Sequence, residues 1–248
     1  MLMPLSGRSC LVNSADCEQG TPQWRDMRSG KITASRISDV LTQPRKGQKE
    51  SVVRSNYRAQ LVCEILTGKA VQDEFQSYDM KRGIELEPYA RAEYEIRRKT
   101  VVEKVGFVSH PSIARAGASP DGLIGTDGLC QFKCVKTAKH LDWIMAGMVP
   151  TEHRGQMYFE MACTGRQWSD FVSYEPNLPD QHQLFIVRLK RDDAEIAEIE
   201  NEVRKFNAEI DEIINKLSVK LDEDLTPVLV ESVRRIDDRK AEQDDIPF

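Results

Sequence analysis

The chain has no apolar run approaching the length of a membrane span, so a helical membrane protein is not expected. Its N-terminus lacks the charged-then-apolar layout of a secretory signal. There is no CxxC pair. The six cysteines (Cys10, Cys17, Cys63, Cys130, Cys134 and Cys163) are scattered, which argues against a zinc site and for reduced thiols in a cytoplasm. None of the four histidines (His110, His140, His153 and His182) stands at metal-ligand spacing, and none is assigned a role. A basic excess is missing too: the net charge is −5, which on its face speaks against a nucleic-acid partner.

That charge is unevenly placed. Residues 1–60 come to roughly +5 and residues 191–248 to roughly −9. A basic front can hold DNA although the whole chain is acidic, and a solvated charge mixture would give the same count. At 248 residues, 40% hydrophobic and 30% charged, the chain reads as a soluble protein with a full core, either one large domain or one domain with appendages.

The most informative stretch is Ser119–Lys136, SPDGLIGTDGLCQFKCVK. Asp121 follows Ser-Pro and precedes a glycine. Leu129 to Val135 then alternate as a strand does, so Gln131 and Lys133 share a face directed towards Asp121 across a turn at Gly125–Gly128. An acid, a second oxygen ligand and a lysine at adjacent strand ends can hold a hard divalent cation beside a phosphate. A surface hairpin with an Asp-Gly turn accounts for the spacing equally well.

The wording around these residues resembles the PD-(D/E)xK nuclease signature, specifically that of the lambda-exonuclease family of phage recombination nucleases, where Ser-Pro-Asp-Gly is followed by Glu-x-Lys-Cys-Pro. The segments Ser119-Pro120-Asp121-Gly122 and Gln131-Phe132-Lys133-Cys134 match it with two departures. Val135 replaces the Pro. Gln131 replaces the metal-binding Glu, keeping an oxygen but removing a charge; an engineered inactivation and a natural variant both explain it. Upstream, Trp24, Arg28, Gly30, Ile32 to Ser35 and Pro44-Arg45 also follow the family's pattern.

The resemblance implies a role for each matching residue. Asp121, Gln131 and the carbonyl of Phe132 hold one Mg²⁺, and Asp121 with Glu87 holds a second; Mn²⁺ is able to substitute. Lys133 positions the attacking water, and Gln156 bonds near the scissile phosphate. Arg28, Ser35 and Ser119 bind the terminal 5′-phosphate of DNA, Arg45 lies in a neighbouring basic loop, and Met80 wedges between terminal base pairs. Without the resemblance, Arg28 reads as a surface ion-pair partner, Ser35 as a helix cap, Glu87 and Gln156 as solvated helix residues, and Met80 as an ordinary methionine.

The expected elements are a short helix from Thr21-Pro22 through Arg28, a helix over Thr33–Leu41, and a helix over 51–67 with Val52, Tyr57, Leu61, Ile65 and Leu66 inward. A helix follows from Phe75 to Arg98, kinked or restarted at Pro88, with Glu85, Glu93 and Glu95 solvated. Strands are expected over Thr100–His110, Ala116–Ile124, Leu129–Val135, Trp168–Tyr174 and Gln183–Leu189, with helices over Ala138–Met148 and Glu152–Cys163. This order gives an α/β fold: a mixed central β-sheet flanked by helices, with an α-helical N-terminal front and a helical C-terminal extension. The boundaries are a nuclease domain over 1–190, helices over 191–240 and an acidic tail over 241–248. The helix over 192–217 has an apolar residue every third or fourth position, and Thr226-Pro227 opens a last one. The tip, ending Ile246-Pro247-Phe248, resembles the tips of bacterial single-stranded-DNA-binding proteins and is a candidate docking peptide.

By resemblance, the expected protein is a Mg²⁺-dependent 5′→3′ exonuclease on double-stranded DNA ends. It would release mononucleotides and leave 3′ overhangs for a single-strand annealing protein. A homotrimer in the cytoplasm of a bacterial host, phage- or prophage-encoded, is implied too. Gln131 predicts binding with poor cleavage, restored by Gln131→Glu. An endonuclease on the same core and a non-catalytic end-binding adaptor remain open.

Overall fold

The computed structural model describes residues 17–71 and 78–244, with side chains as far as Ser218. The expected helix start at Phe75 and the Ile246-Pro247-Phe248 tip lie outside the described residues. The chain divides into two units, residues 1–206 and residues 207–248.

At the front, Thr21 caps α1 (Pro22–Arg28): its hydroxyl accepts from the Trp24 N–H at 3.2 Å, and Pro22 occupies the first turn. The helix expected from Thr33 is corrected. Ile32–Thr33 form a short strand, β1, a 3-10 turn covers Ala34–Arg36, and only α2 (Ile37–Leu41) is α-helical. Ile32 and Thr33 are β-branched, and the Ile32 N–H donates to the Arg115 carbonyl at 2.8 Å, so strand pairing wins locally. Ile37 and Val40 are buried. α3 (Val52–Thr67) stops at Gly68 in the left-handed region. Its buried face runs through Tyr57, Leu61, Val62 and Glu64, leaving Val52 and Leu66 exposed, contrary to expectation.

The strands differ more. The segment Thr100–His110 yields only β2 (Val108–Ser109) and an isolated bridge between Glu103 and Leu123. Val105, Gly106 and Phe107 are buried in succession, which a half-buried alternating strand does not allow. The segment Ala116–Ile124 is broken into β3 (Ala116–Ala118) and β4 (Gly122–Ile124), which belong to different sheets. One sheet has the order β1-β3-β2. In the other, β4 pairs antiparallel with β5 (Gly128–Lys133), β5 parallel with β6 (Trp168–Tyr174), and β6 antiparallel with β7 (Leu184–Lys190). Pro120, with no N–H to give a ladder, sits at the crossing. The mixed sheet flanked by helices is therefore present, in two parts.

The two faces of the larger sheet carry different helices. α4 (Tyr78–Arg98) runs unbroken through Pro88 and packs Ala90 and Tyr94 against Cys130 and Phe132. Its Glu95 is not simply solvated, because it accepts from the Val102 N–H at 2.7 Å. α5 (Thr137–Ala146) and α6 (Thr151–Thr164) supply Trp143 and Met157, which cluster with Phe171 of β6. Leu141 and Met145 of α5 are exposed. A short α7 (Asp180–Gln183) leads into β7. In α8 (Asp193–Asp244), Ile196, Ile199, Val203 and Phe206 are buried at the expected spacing. The separate helix expected from Thr226-Pro227 is corrected, since the backbone there stays helical within α8. Among the described residues, no helix is long and apolar enough to cross a membrane.

Candidate active site

The site forms at the step from one sheet to the other. Ser119, just past β3, faces the front, and its Oγ accepts from Trp24 Nε1 at 3.0 Å and Arg28 Nη1 at 3.3 Å. Arg28 Nη2 donates to Ser35 Oγ at 3.3 Å, and the guanidinium lies over the Trp24 ring, 4.1 Å from its centroid. The direct bonds of Arg28 thus go to two neutral hydroxyls. Burial pulls its pKa down, with Tyr57 and Glu64 opposing. A forked cation held by hydroxyls suits an anion with several oxygens. Gln19 Nε2 fixes the step from below, donating at 2.8 Å to the Val105 and Pro120 carbonyls.

Two residues on, Asp121 lies one position beyond the Gly122–Cys130 pair, opposite Gln131. Its Oδ2 accepts from the Phe132 N–H at 2.7 Å. A strand residue's N–H and C=O point to the same side, so the Phe132 carbonyl faces the Asp121 edge. Asp121 is pushed up to about pH 6, chiefly by burial, with Lys133 opposing and Glu87 adding to the shift. Glu87 approaches from α4, where Arg91 bonds both its carboxylate and the Asp121 carbonyl at 2.9 Å.

Gln131, 1% exposed, has neither amide atom bonded among the described residues. Its neighbour across the ladder is Phe171, whose side chain meets Met157 of α6, so Gln131 and Lys133 face α6. On that helix Gln156 Nε2 donates to Glu160 Oε1 at 2.8 Å. Glu160 is 1% exposed, and its Oε2 is unbonded among the described residues. Burial and the field of Asp121 drive its pKa up to about 8, against Gln156 and Lys133.

A cavity of about 550 Å³ joins these parts, lined by Arg28, Ser35 and Ser119 at one end and Asp121, Lys133 and Gln156 at the other. Met80 lines a second cavity of about 520 Å³ that shares Trp24, Arg28 and Ser35. Arg45 is exposed on its loop and lines neither. Sequence reasoning missed Glu160, His153, which lines the first cavity, and Gln19. For Glu160, the available signal was an acid inside the uniformly apolar or aromatic run from Met157 to Cys163.

Among the described residues, no three His, Cys, Asp or Glu side chains gather closely enough to hold an ion by themselves. Mg²⁺ characteristically takes one or two carboxylates and keeps several waters. Asp121, the Phe132 carbonyl and the unbonded oxygens of Gln131 and Glu160 form a hard-oxygen set that fits such an ion.

A Ser-Pro-Asp step feeding a strand that ends in lysine, with helices on both sheet faces, defines a nuclease fold of the PD-(D/E)xK type. The chain belongs to the YqaJ-like viral recombinase domain family, within the lambda-exonuclease group, by a match over residues 23–167. It is similar to the alkaline exonuclease LHK-Exo from Laribacter hongkongensis in two crystal structures, the second in complex with dAMP, at 47% identity over 82% of this chain and 99% of that one, with TM-scores of 0.75 and 0.76. A phage-related exonuclease from Haemophilus somnus 129PT shares the fold at 15% identity, covering 78% of this chain and 99% of that one, with a TM-score of 0.58. No curated protein matches the chain.

Proposed function

We propose that the chain is a divalent-metal-dependent 5′→3′ exonuclease acting on double-stranded DNA ends and releasing mononucleotides. The observation that carries this reading is the shared cavity: an anion pocket of Arg28, Ser35 and Ser119 opens into the space in front of Asp121 and Lys133. A terminal 5′-phosphate held in the pocket would set the next phosphodiester beside the carboxylate and the lysine. Each cut creates a new 5′-phosphate for the same pocket, which is the basis for repeated cleavage from one end.

Asp121, the Phe132 carbonyl and Gln131 would hold one ion, and Asp121 with Glu87 a second. Divalent ions bound there would supply an activated water and neutralise charge on the attacking and leaving oxygens. The Lys133 ammonium orients the attacking water and offsets charge building on the phosphate. Gln156 can exchange its bond to Glu160 for one to a phosphate oxygen. The Arg28 fork holds the 5′-phosphate, the two serines adding hydroxyl donors, and Met80 meets the terminal base pair from the adjoining cavity. Arg91 bonds Glu87 through Oε1, so Oε2 is the oxygen that would face the second ion. Taken alone, Gln131 predicts a weakened metal site; the surroundings of Glu160 change that expectation.

Such an enzyme leaves 3′ overhangs, the substrate of a single-strand annealing protein. The proposal extends to that partner, to a homotrimer around the duplex, and to a phage or prophage protein in a bacterial cytoplasm.

The test is degradation of a linear duplex, labelled at either end, with Mg²⁺ and with chelator. Early mononucleotide release from the 5′ end, an intact closed circular duplex and no release with chelator are expected. Nicking of the circle would favour an endonuclease, and binding of ends without cleavage would favour an adaptor.

A further inference from the structure

Among the described residues, four acids have less than a tenth of their surface exposed, and three of them have both oxygens occupied. Asp170 takes both prongs of Arg188, at 2.7 and 2.9 Å, and the Tyr94 hydroxyl at 2.8 Å. Glu175 receives Arg82, Thr137 and Asn177. Glu64 receives the Gly30 and Val71 N–H groups and the Gln60 amide. These are acids that hold the fold together. Glu160 differs: Gln156 takes one oxygen, while the other is buried and unbonded among the described residues. Leaving a carboxylate so is costly unless something positive or proton-bearing fills the space.

The position of that space is informative. Met157 and Glu160, three residues apart on α6, share a helix face, and Met157 meets Phe171, the ladder neighbour of Gln131. Gln131 projects to the same side, with two buried, unbonded amide atoms. An amide and a carboxylate, both unsatisfied, thus face the same side of the sheet. The charge that residue 131 lacks on the strand is present on the neighbouring helix.

We propose that Glu160 supplies the metal-site carboxylate that Gln131 does not, with Asp121 as the second carboxylate and the Gln131 amide oxygen as a neutral ligand. The proposal rests on the metal-dependent nuclease reading. It makes the chain a complete enzyme, in which a carboxylate has moved from strand to helix.

The test is Mn²⁺ binding to the full chain without DNA, read by the electron paramagnetic resonance of free Mn²⁺ and run beside cleavage of the linear duplex. Glu160→Gln should weaken Mn²⁺ binding at least ten-fold. The double variant Glu160→Gln with Gln131→Glu should recover most of it, because one carboxylate is returned to the same space. Gln131→Glu alone should give no large gain, because the site already has its charge. If Glu160→Gln binds Mn²⁺ as the unaltered chain does while Asp121→Asn does not, this proposal is overturned and the metal-site reading survives. If the double variant stays as weak as Glu160→Gln although its melting temperature is unchanged, the proposal also falls. If the unaltered chain neither binds Mn²⁺ nor cleaves, both readings fail together.

Discussion

The hydroxyl of Ser119 accepts from the Arg28 guanidinium at 3.3 Å. Arg28 is on α1 and Ser119 is at the end of β3, so the bond spans 91 residues and ties the front of the chain to the residue two before Asp121. The proposed terminal-phosphate pocket and the proposed catalytic edge are thereby tied to one backbone segment, Ser119–Asp121.

The first prediction concerns that pocket. Arg28→Ala removes a forked, charge-assisted donor set, worth about 1.5–3 kcal/mol for each bond to a charged group, or on the order of 10- to 100-fold. The loss should fall on duplexes with a 5′-phosphate and leave those with a 5′-hydroxyl nearly unchanged. Initial rates on the two ends, measured side by side, check this. An equal loss on both would mean that Arg28 only supports the local fold.

Much of this was legible in the sequence because the local signals agreed with the tertiary structure. Thr21-Pro22 opened a helix, Gly68 and Gly165 ended others, and Trp168–Tyr174 formed a strand over the expected range. The break at Ser119–Asp121 was marked in the sequence only by Pro120 and Gly122, and that the two ends join different sheets was not legible, because only pairing partners reveal it. Glu160 was hidden for a related reason. α6 is buried at every position from Met157 to Cys163, so no amphipathic period marks one residue as facing the site. Pattern shows which residues are buried, but not which buried polar group lacks a partner.

The second prediction concerns Asp121 and the strand edge it holds. Asp121→Asn keeps the shape and an oxygen that can accept from the Phe132 N–H, while removing one of the site's negative charges. DNA-end binding should persist and cleavage should fall by roughly 100-fold or more, the scale seen when one preorganised electrostatic contact to a transition state is lost. Gel-shift binding and single-turnover cleavage on the same 5′-phosphorylated duplex separate the two effects. Loss of both together, with a lowered melting temperature, would show that the acid serves mainly to hold β5.

The third prediction is structural. Asp170 is fully buried at the centre of β6 and is held by Arg188 from β7 and the Tyr94 hydroxyl from α4. Arg188→Leu strips its two-pronged partner. Removing one member of a buried pair costs about 3–5 kcal/mol, and the partial exposure of Arg188 brings the expectation down to about 2 kcal/mol. Urea unfolding should show the lower midpoint. Tyr94→Phe, which removes a single hydroxyl, should cost less, about 1 kcal/mol.

The last prediction is a pH dependence that follows from His153. Its ring stacks on Phe171 at 5.4 Å and stands edge-on to Trp143 at 5.6 Å, while its other side lines the cavity near Lys133. Burial, then the Lys133 charge, lowers its pKa to about 4, with Glu152 opposing. The folded chain therefore keeps this ring neutral where the unfolded chain would protonate it, at about pH 6.5. Between these two values the unfolded state binds more protons, so the contribution of His153 to stability is present above pH 6.5 and is lost as the pH falls towards 4. His153→Phe keeps a ring between Phe171 and Trp143 without a titrating nitrogen. The difference in unfolding free energy between the two proteins cancels the groups they share, including Asp121 and Glu160, whose raised pKa values act in the opposite direction. That difference should move in favour of His153→Phe by up to about 3 kcal/mol as the pH is lowered from 7 to 4.5. A constant difference across the range would mean that water or a neighbouring carboxylate stabilises the charged ring in the fold, and that the cavity beside Lys133 is wetter than its lining indicates.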